Sequence, residues 1–222
     1  MNRWQTAQQA ERNHSAHTSI VSDQESAKSL FERLWQEDIS VLSNKDMLAV
    51  GGGTGIIHAL EHPRLQVSID PLYEEKRIPR TKTNAEIICG SGEHLPFSNN
   101  SFDIVYSQNV LDHTRNPNEV LDEISRILKR DGQFFFSVNT FSLPKIIRNK
   151  LDVVDTPHPH HFGPEEIKQM LQSSGFKLEN IHMRTHSFTE KSVFSLLCQK
   201  EFKKAGGKLA QIKDFCAICR LS

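Results

Sequence analysis

The sequence predicts an α/β protein: a mostly parallel sheet of seven strands, helices on both faces, and a reversed last strand. Three features of the chain lead there. From Asp46 onward, apolar runs of strand length alternate with stretches of helical periodicity. Strands separated by helices imply right-handed crossovers and therefore parallel neighbours. The segment between the sixth and seventh runs departs from that rhythm, which points to an antiparallel edge.

The elements follow in order. Residues 1–45 are polar and helix-prone and read as an N-terminal helical cap, leaving 46–222 for the α/β domain. Ser22 and Glu25 have capping-box spacing, and Leu30, Phe31, Leu34 and Trp35 recur behind them as an apolar stripe that packs on the domain or covers a cleft. The first strand, "MLAV", falls into Gly51-Gly52-Gly53-Thr54-Gly55 and then a helix; the second, "LQVSID", ends in Asp70. "AEIICG" and "SFDIVYSQ" are the third and fourth strands. The next helix has Asn116 as N-cap, Pro117 in its first turn, Val120, Leu121, Ile124, Ile127 and Leu128 as its inner face, and Gly132 just past its end. "GQFFFSVN" is the fifth strand. Gly163 and Pro164 open another helix that Gly175 stops, "FKLENIHM" is the sixth strand, "EKSVFSLLCQKEFKKA" is helical, and "DFCAICRL" closes the sheet.

Charge and composition exclude several classes. The chain has 27 Lys plus Arg against 27 Asp plus Glu, so the basic excess of a broad nucleic-acid footprint is missing and no nucleic-acid partner is expected. No run approaches the roughly 18 apolar residues of a membrane span, and the polar N-terminus lacks a secretory core, so the expected location is the cytoplasm. Cys216 and Cys219 have a metal-like spacing, but on a strand they point to opposite faces, and no second Cys/His pair supports them. No metal is expected.

Open α/β sheets bind ligands at the carboxyl ends of their strands, beside the first strand. The glycines after the first strand allow a ligand to approach bare backbone, or simply make a tight turn. Asp70, nineteen positions after Gly51, has the spacing of an acid that accepts both hydrogen bonds from a ribose diol. A dinucleotide turn places glycine at its first, third and sixth positions; here the sixth is Ile56 and the fifth is Gly55.

The stretch from Gly90 to Asn139 is more specific. Glu93, Leu95, Pro96 and Phe97, then Ser101-Phe102-Asp103-Ile104-Val105, then His113, then Arg126-Ile127-Leu128-Lys129 leading to Gly132, resemble the ordered motifs of class I S-adenosylmethionine-dependent methyltransferases. The similarity spans roughly 46–175 and implies a Rossmann-like domain of the kind read above. It also implies roles. Gly51 and Gly53 would lie beneath the methionine portion of S-adenosyl-L-methionine, and Asp70 would hold the ribose with Pro71 and Leu72 flanking the adenine. Ser91, Gly92 and Glu93 would form the other adenine wall, and Gln108 would offer backbone to the amino-acid end. Family members usually carry acids where this chain has Ala49 and Ser91, and losing a charged hydrogen bond costs on the order of 1.5–3 kcal/mol.

On the acceptor side, His113 is the candidate general base, because histidine titrates near neutrality. Asn139, His158, His160 and His161 are candidates for lining the acceptor site. The balanced charge favours a small-molecule or sugar-type acceptor, methylated on a hydroxyl. Two rivals are a non-catalytic member kept as a binding or partner subunit, motivated by Ala49 and Ser91, and a nicotinamide-dependent oxidoreductase or epimerase. Ile56 argues against the second, as does the lack of Lys four residues after Tyr73 or Tyr106. The oligomeric state is not legible.

Overall fold

The computed structural model describes residues 4–9, 24–52, 63–73, 85–149, 151, 158–185 and 212–222. Ser22, Gly53, Thr54, Gly55, Ile56, Cys198 and the expected helix at 190–205 lie outside them. Seven strands form one sheet: β1 Asp46–Val50, β2 Leu65–Asp70, β3 Glu86–Cys89, β4 Phe102–Gln108, β5 Leu128–Phe141, β6 Phe176–Thr185 and β7 Ile212–Leu221. Their spatial order is β3-β2-β1-β4-β5-β7-β6. All pairs from β3 to β5 are parallel, and β7 runs antiparallel to both of its neighbours. The reversed strand is thus interior, and β6 forms the edge. β5 and β6 run the same way, so a strand of opposite sense between them satisfies the ladder on both sides.

β1, β2, β4, β5 and β7 are largely buried on both faces, with side chains alternating between two covers, whereas β3 and β6 are partly exposed. Leu48 and Val50, Val67 and Ile69, Val105, and Phe134 and Phe136 point to one side, where they meet Val120, Leu121, Ile124 and Ile127 of helix α2 (Pro117–Ile127) and Ile167 and Leu171 of helix α4 (Pro164–Ser173). The alternate residues Met47 and Ala49, Ile104 and Tyr106, and Phe135 point the other way, against helix α1 (Gln24–Trp35). The apolar stripe read at 30–35 therefore packs on the sheet. Phe31, Trp35, Tyr106 and Phe135 form an aromatic cluster with ring centroids 5.1–5.7 Å apart, and the Trp35 indole donates to the Phe136 carbonyl at 3.1 Å. Cys216 and Cys219 divide as the strand period requires, one in each core. Burial pushes both thiols up to about 12.

Helix ends show where local signals compete. Asn116 occupies the N-cap position, but its side chain makes no capping bond. Gly132 does not stop α2: the chain turns extended at Leu128, which already pairs with Phe102 as the first residue of β5. Gly132 lies inside that strand, where a Cβ would come within 2.8 Å of the Leu128 side chain and 2.9 Å of the Lys129 carbonyl. Gly175 does follow α4 as expected, with φ +84°. The short helix α3 (Lys145–Arg148) was not foreseen. Among the described residues no helix is long and apolar enough to cross a membrane.

The amino ends of three strands are tied by charge. Asp103 accepts the Asp46 amide at 2.9 Å and the Lys129 ammonium at 2.9 Å; Lys129 also reaches Asp46 at 3.3 Å, and Asp46 pairs with Arg64. Burial disfavours the Asp103 carboxylate, but the Asp46 amide and Lys129 outweigh it and hold the carboxyl below its usual range.

Two measurements check this account. Trp35→Ala is expected to cost about 3–5 kcal/mol in urea unfolding, because it empties a core cavity and removes the bond to β5. Asp103 binds its proton less readily folded than unfolded, so its stabilisation is present above roughly pH 4 and is lost as pH falls through the lowered folded value. Asp103→Asn should therefore be less stable than the parent by about 1 kcal/mol at pH 7, with the gap closing below pH 4.

Candidate functional site

The carboxyl ends of β1, β2, β3 and β4 meet along one rim of the sheet. Gly51 leaves β1 with φ +73°, and its amide donates to the Ile69 carbonyl of β2 at 2.8 Å. A Cβ at Gly51 would lie 2.3 Å from a Val110 methyl, and one at Gly52 would lie 2.1 Å from the Ser68 hydroxyl. At these two positions the missing side chains make room for the protein's own packing. Ser68 is hydrogen-bonded to the Tyr73 hydroxyl at 2.5 Å, and burial pushes that phenol well above its usual range. Ala49 is fully buried, its Cβ 3.0 Å from where a Gly52 Cβ would stand. A longer acid at 49 would need this packing rearranged.

Asp70 ends β2, only 6% exposed, and its Oδ1 accepts the Leu72 amide at 2.8 Å. That bond and the Tyr73 amide's bond to the Asp70 carbonyl close a turn through Pro71 and bury Leu72. The carboxylate is thereby held at the strand tip, beside Gly90, whose amide reaches the same Asp70 carbonyl at 3.3 Å.

The loop after β3 is positioned from α2. Arg126 donates to the Phe97 carbonyl at 2.7 Å, the Leu95 carbonyl at 3.0 Å and Asn99 at 3.0 Å, while Glu123 pairs with Arg126 and accepts the Leu95 amide at 2.8 Å. Glu93, expected in an adenine wall, accepts the Arg115 and Asn116 amides at 2.8 and 3.3 Å, ahead of α2. Gly92 lies where a Cβ would be 3.0 Å from Val50 and 3.2 Å from Val120. Ser91 is half-buried, and its carbonyl accepts the His94 amide.

Beyond β4, Tyr106 donates to the Gln108 side chain. Asn109 has φ +49°, and its buried Oδ1 has no hydrogen-bond partner. A short 3-10 turn, Leu111–His113, carries the acceptor-side candidates. Asp112 is buried and lies 4.0 Å from His158 Nε2, while the His113 and His158 rings are 4.6 Å apart. Asp112 adjoins His113 in the chain, but its nearness to His158, 46 residues on, is not visible from spacing.

The other two histidines do different work. His160 is bonded to the Thr114 carbonyl at 3.0 Å and lies parallel to Phe162 at 5.6 Å. His161 is buried edge-on to Phe141, and its carbonyl accepts from the buried Arg148 guanidinium, which also pairs with Glu166 at 2.8 Å. Asn139 is half-buried in β5, opposite Asp214 of β7. From the N-terminal side, Gln8, within the helical residues 4–9, donates to the His113 carbonyl at 3.4 Å. No local pattern singled out Gln8, Asn109 or Arg148.

Known proteins resemble this chain in sequence and in fold. A family profile described as a methyltransferase domain matches residues 48–136. Protein MJ1252 of Methanocaldococcus jannaschii is 35% identical over 129 residues, covering 56% of this chain and 50% of that protein. A malonyl-[acyl-carrier protein] O-methyltransferase of Marinomonas is 25% identical over 178 residues, covering 73% of this chain and 63% of the enzyme. The chain thus spans half to two thirds of the length of these two relatives. Haemonchus contortus phosphoethanolamine N-methyltransferase 2, solved with phosphomonomethylethanolamine and S-adenosylhomocysteine, superposes with TM-score 0.58 at 14% identity, over 89% of this chain and 52% of that one. Residues 48–136 thus match a methyltransferase-domain profile, and the chain shares its fold with solved methyltransferases.

Arg126→Met removes the donors that hold the 95–99 loop. We expect a loss of about 1–3 kcal/mol and faster hydrogen exchange at the Leu95 amide, with β1 and β4 amides still protected.

Proposed function

We propose that this methyltransferase domain binds S-adenosyl-L-methionine across the tips of β1, β2 and β4 and transfers its methyl group to a small-molecule or sugar-type hydroxyl in the cytoplasm. The observation that carries the reading is Asp70: a buried carboxylate fixed at the end of β2 beside the left-handed turn at Gly51. An acid at this point suits a ribose diol, and the unpartnered Asn109 oxygen suits an amino-group donor. Pro71, Leu72, Ser91, Gly92 and Gln108 would complete the cofactor's surroundings, with Gly53 beneath its methionine portion. When bound, the sulfonium supplies an electrophilic methyl group and a neutral thioether as leaving group.

The chain's part is alignment and proton handling. His113 would take the acceptor hydroxyl's proton on its imidazole as the new carbon–oxygen bond forms. His158, His160, His161 and Asn139 would bound the acceptor, with the two loops already tied by the His160 amide bond to the Asp112 carbonyl. The Gln8 bond supports a role for the helical residues 4–9, part of the N-terminal cap read at 1–45, in covering His113.

A second reading has its own observation. Ala49 is fully buried, its Cβ 3.0 Å from where a Gly52 Cβ would stand, so position 49 offers no acid to the cofactor's ammonium. This favours a binding or partner subunit that has kept the fold.

Calorimetric titration with S-adenosylmethionine and S-adenosylhomocysteine separates the two. The catalytic reading expects binding that Asp70→Asn weakens by about ten- to a hundredfold, the equivalent of one charged hydrogen bond. Absence of binding at millimolar ligand would overturn it in favour of the partner subunit.

A further inference from the structure

We propose that Asp112, His113 and His158 form a binding site for one divalent transition-metal ion, of the zinc class, beside the turn that follows β4. Each side chain offers one ligand atom, and the three atoms lie within 4.8 Å of one another. Donors sharing one zinc-sized ion, at bond lengths near 2.0–2.2 Å, stand about 3–3.5 Å apart. The Asp112–His158 separation of 4.0 Å is too long for a hydrogen bond and about 0.5–1 Å beyond that spacing, so the side chains would draw in slightly around an ion.

Asp112 is the least explained of the three without an ion. It is 4% exposed, its Oδ1 has no hydrogen-bond partner, and no lysine or arginine among the described residues is paired with it. A buried carboxylate in that position calls for a compensating charge. His158 can supply one if protonated; a divalent ion supplies more and uses the second imidazole as well.

The backbone is arranged to hold the donors in place. The His113 amide bonds to the Val110 carbonyl at 2.9 Å, and the Thr114 hydroxyl to the Leu111 carbonyl at 2.8 Å, fixing the turn. His160 fastens the other loop through its amide to the Asp112 carbonyl and its ring to the Thr114 carbonyl. The linear pattern hid this site, because the carboxylate comes from the β4 exit and not from the histidine-rich loop.

Two imidazoles and a carboxylate are the donor set of open zinc and other transition-metal sites, whereas magnesium and calcium prefer oxygen. Three protein ligands leave a coordination position for an acceptor oxygen. A bound ion would lower the pKa of an acceptor hydroxyl, with His113 then serving as a ligand and not as a base. The acceptor's part in this rests on the methyltransferase reading; the ion site does not.

The test uses the full chain, stripped with a chelator, and titrates zinc by calorimetry and cobalt(II) by visible absorption. The expected result is one ion per chain with ligand-field bands on cobalt, and affinity at least about a hundredfold weaker in Asp112→Asn and in His158→Ala. Circular dichroism and melting confirm that both variants fold, and the isosteric Asp112→Asn carries the result if His158→Ala does not. No binding at millimolar metal, or binding unchanged in the folded variants, would overturn the site. Titrating S-adenosylmethionine on the same metal-free chain keeps the two proposals apart: metal binding without cofactor binding removes the function and spares the site, and the reverse result does the opposite.

Discussion

The exit from β1 governs the rest of the molecule. β1 lies between β2 and β4 and is buried on both faces, so its chain must leave through a crowded rim. It does so because Gly51 takes a left-handed conformation that lets its amide reach β2 and lets Val110, from the β4 exit, occupy the space of a side chain. One residue therefore sets the relative height of three strand tips. The Asp70 turn and the 111–113 turn, each fixed by its own hydrogen bonds, start from the strand exits that this contact brings together.

Most of the recognisable motif residues hold the site and do not face it. Arg126 and Glu123 suspend the Leu95–Phe97 loop by its backbone. Lys129 and Asp103 join strand starts at the end of the sheet away from the ligand rim. Glu93 steadies the approach to α2. Loops carrying chemistry expose polar backbone that must be satisfied somewhere, and charged side chains from the neighbouring helix satisfy it here.

Sequence legibility followed the range of the interaction. The strands and the inner face of α2 were readable because a period of two or of 3.6 is written into consecutive residues, and the same period separated Cys216 from Cys219 across the sheet. Gly132 misled because a glycine after a helical run looks like a stop, while pairing of Leu128 with β4 had already ended the helix. The position of β7 was out of reach, since strand order depends on which edge offers partners. The histidine-rich loop was legible as polar and close to the cleft. Its division of labour was not: His161 inward, His160 to a carbonyl, and His158 toward Asp112 depend on contacts between distant segments.

The interior place of β7 bears on how the chain is made. β5 carries Phe134, Phe135 and Phe136, and its free edge finds a neighbour only when β7 arrives, later in synthesis than β6. Until then an apolar strand with unpaired amides and carbonyls is presented to whatever else is in the cell. A nascent chain halted before residue 212 lacks the strand that pairs with both β5 and β6. Such a product has the hallmarks of a chaperone client and of an aggregation seed, and release of an intact β7 is the event that seals it.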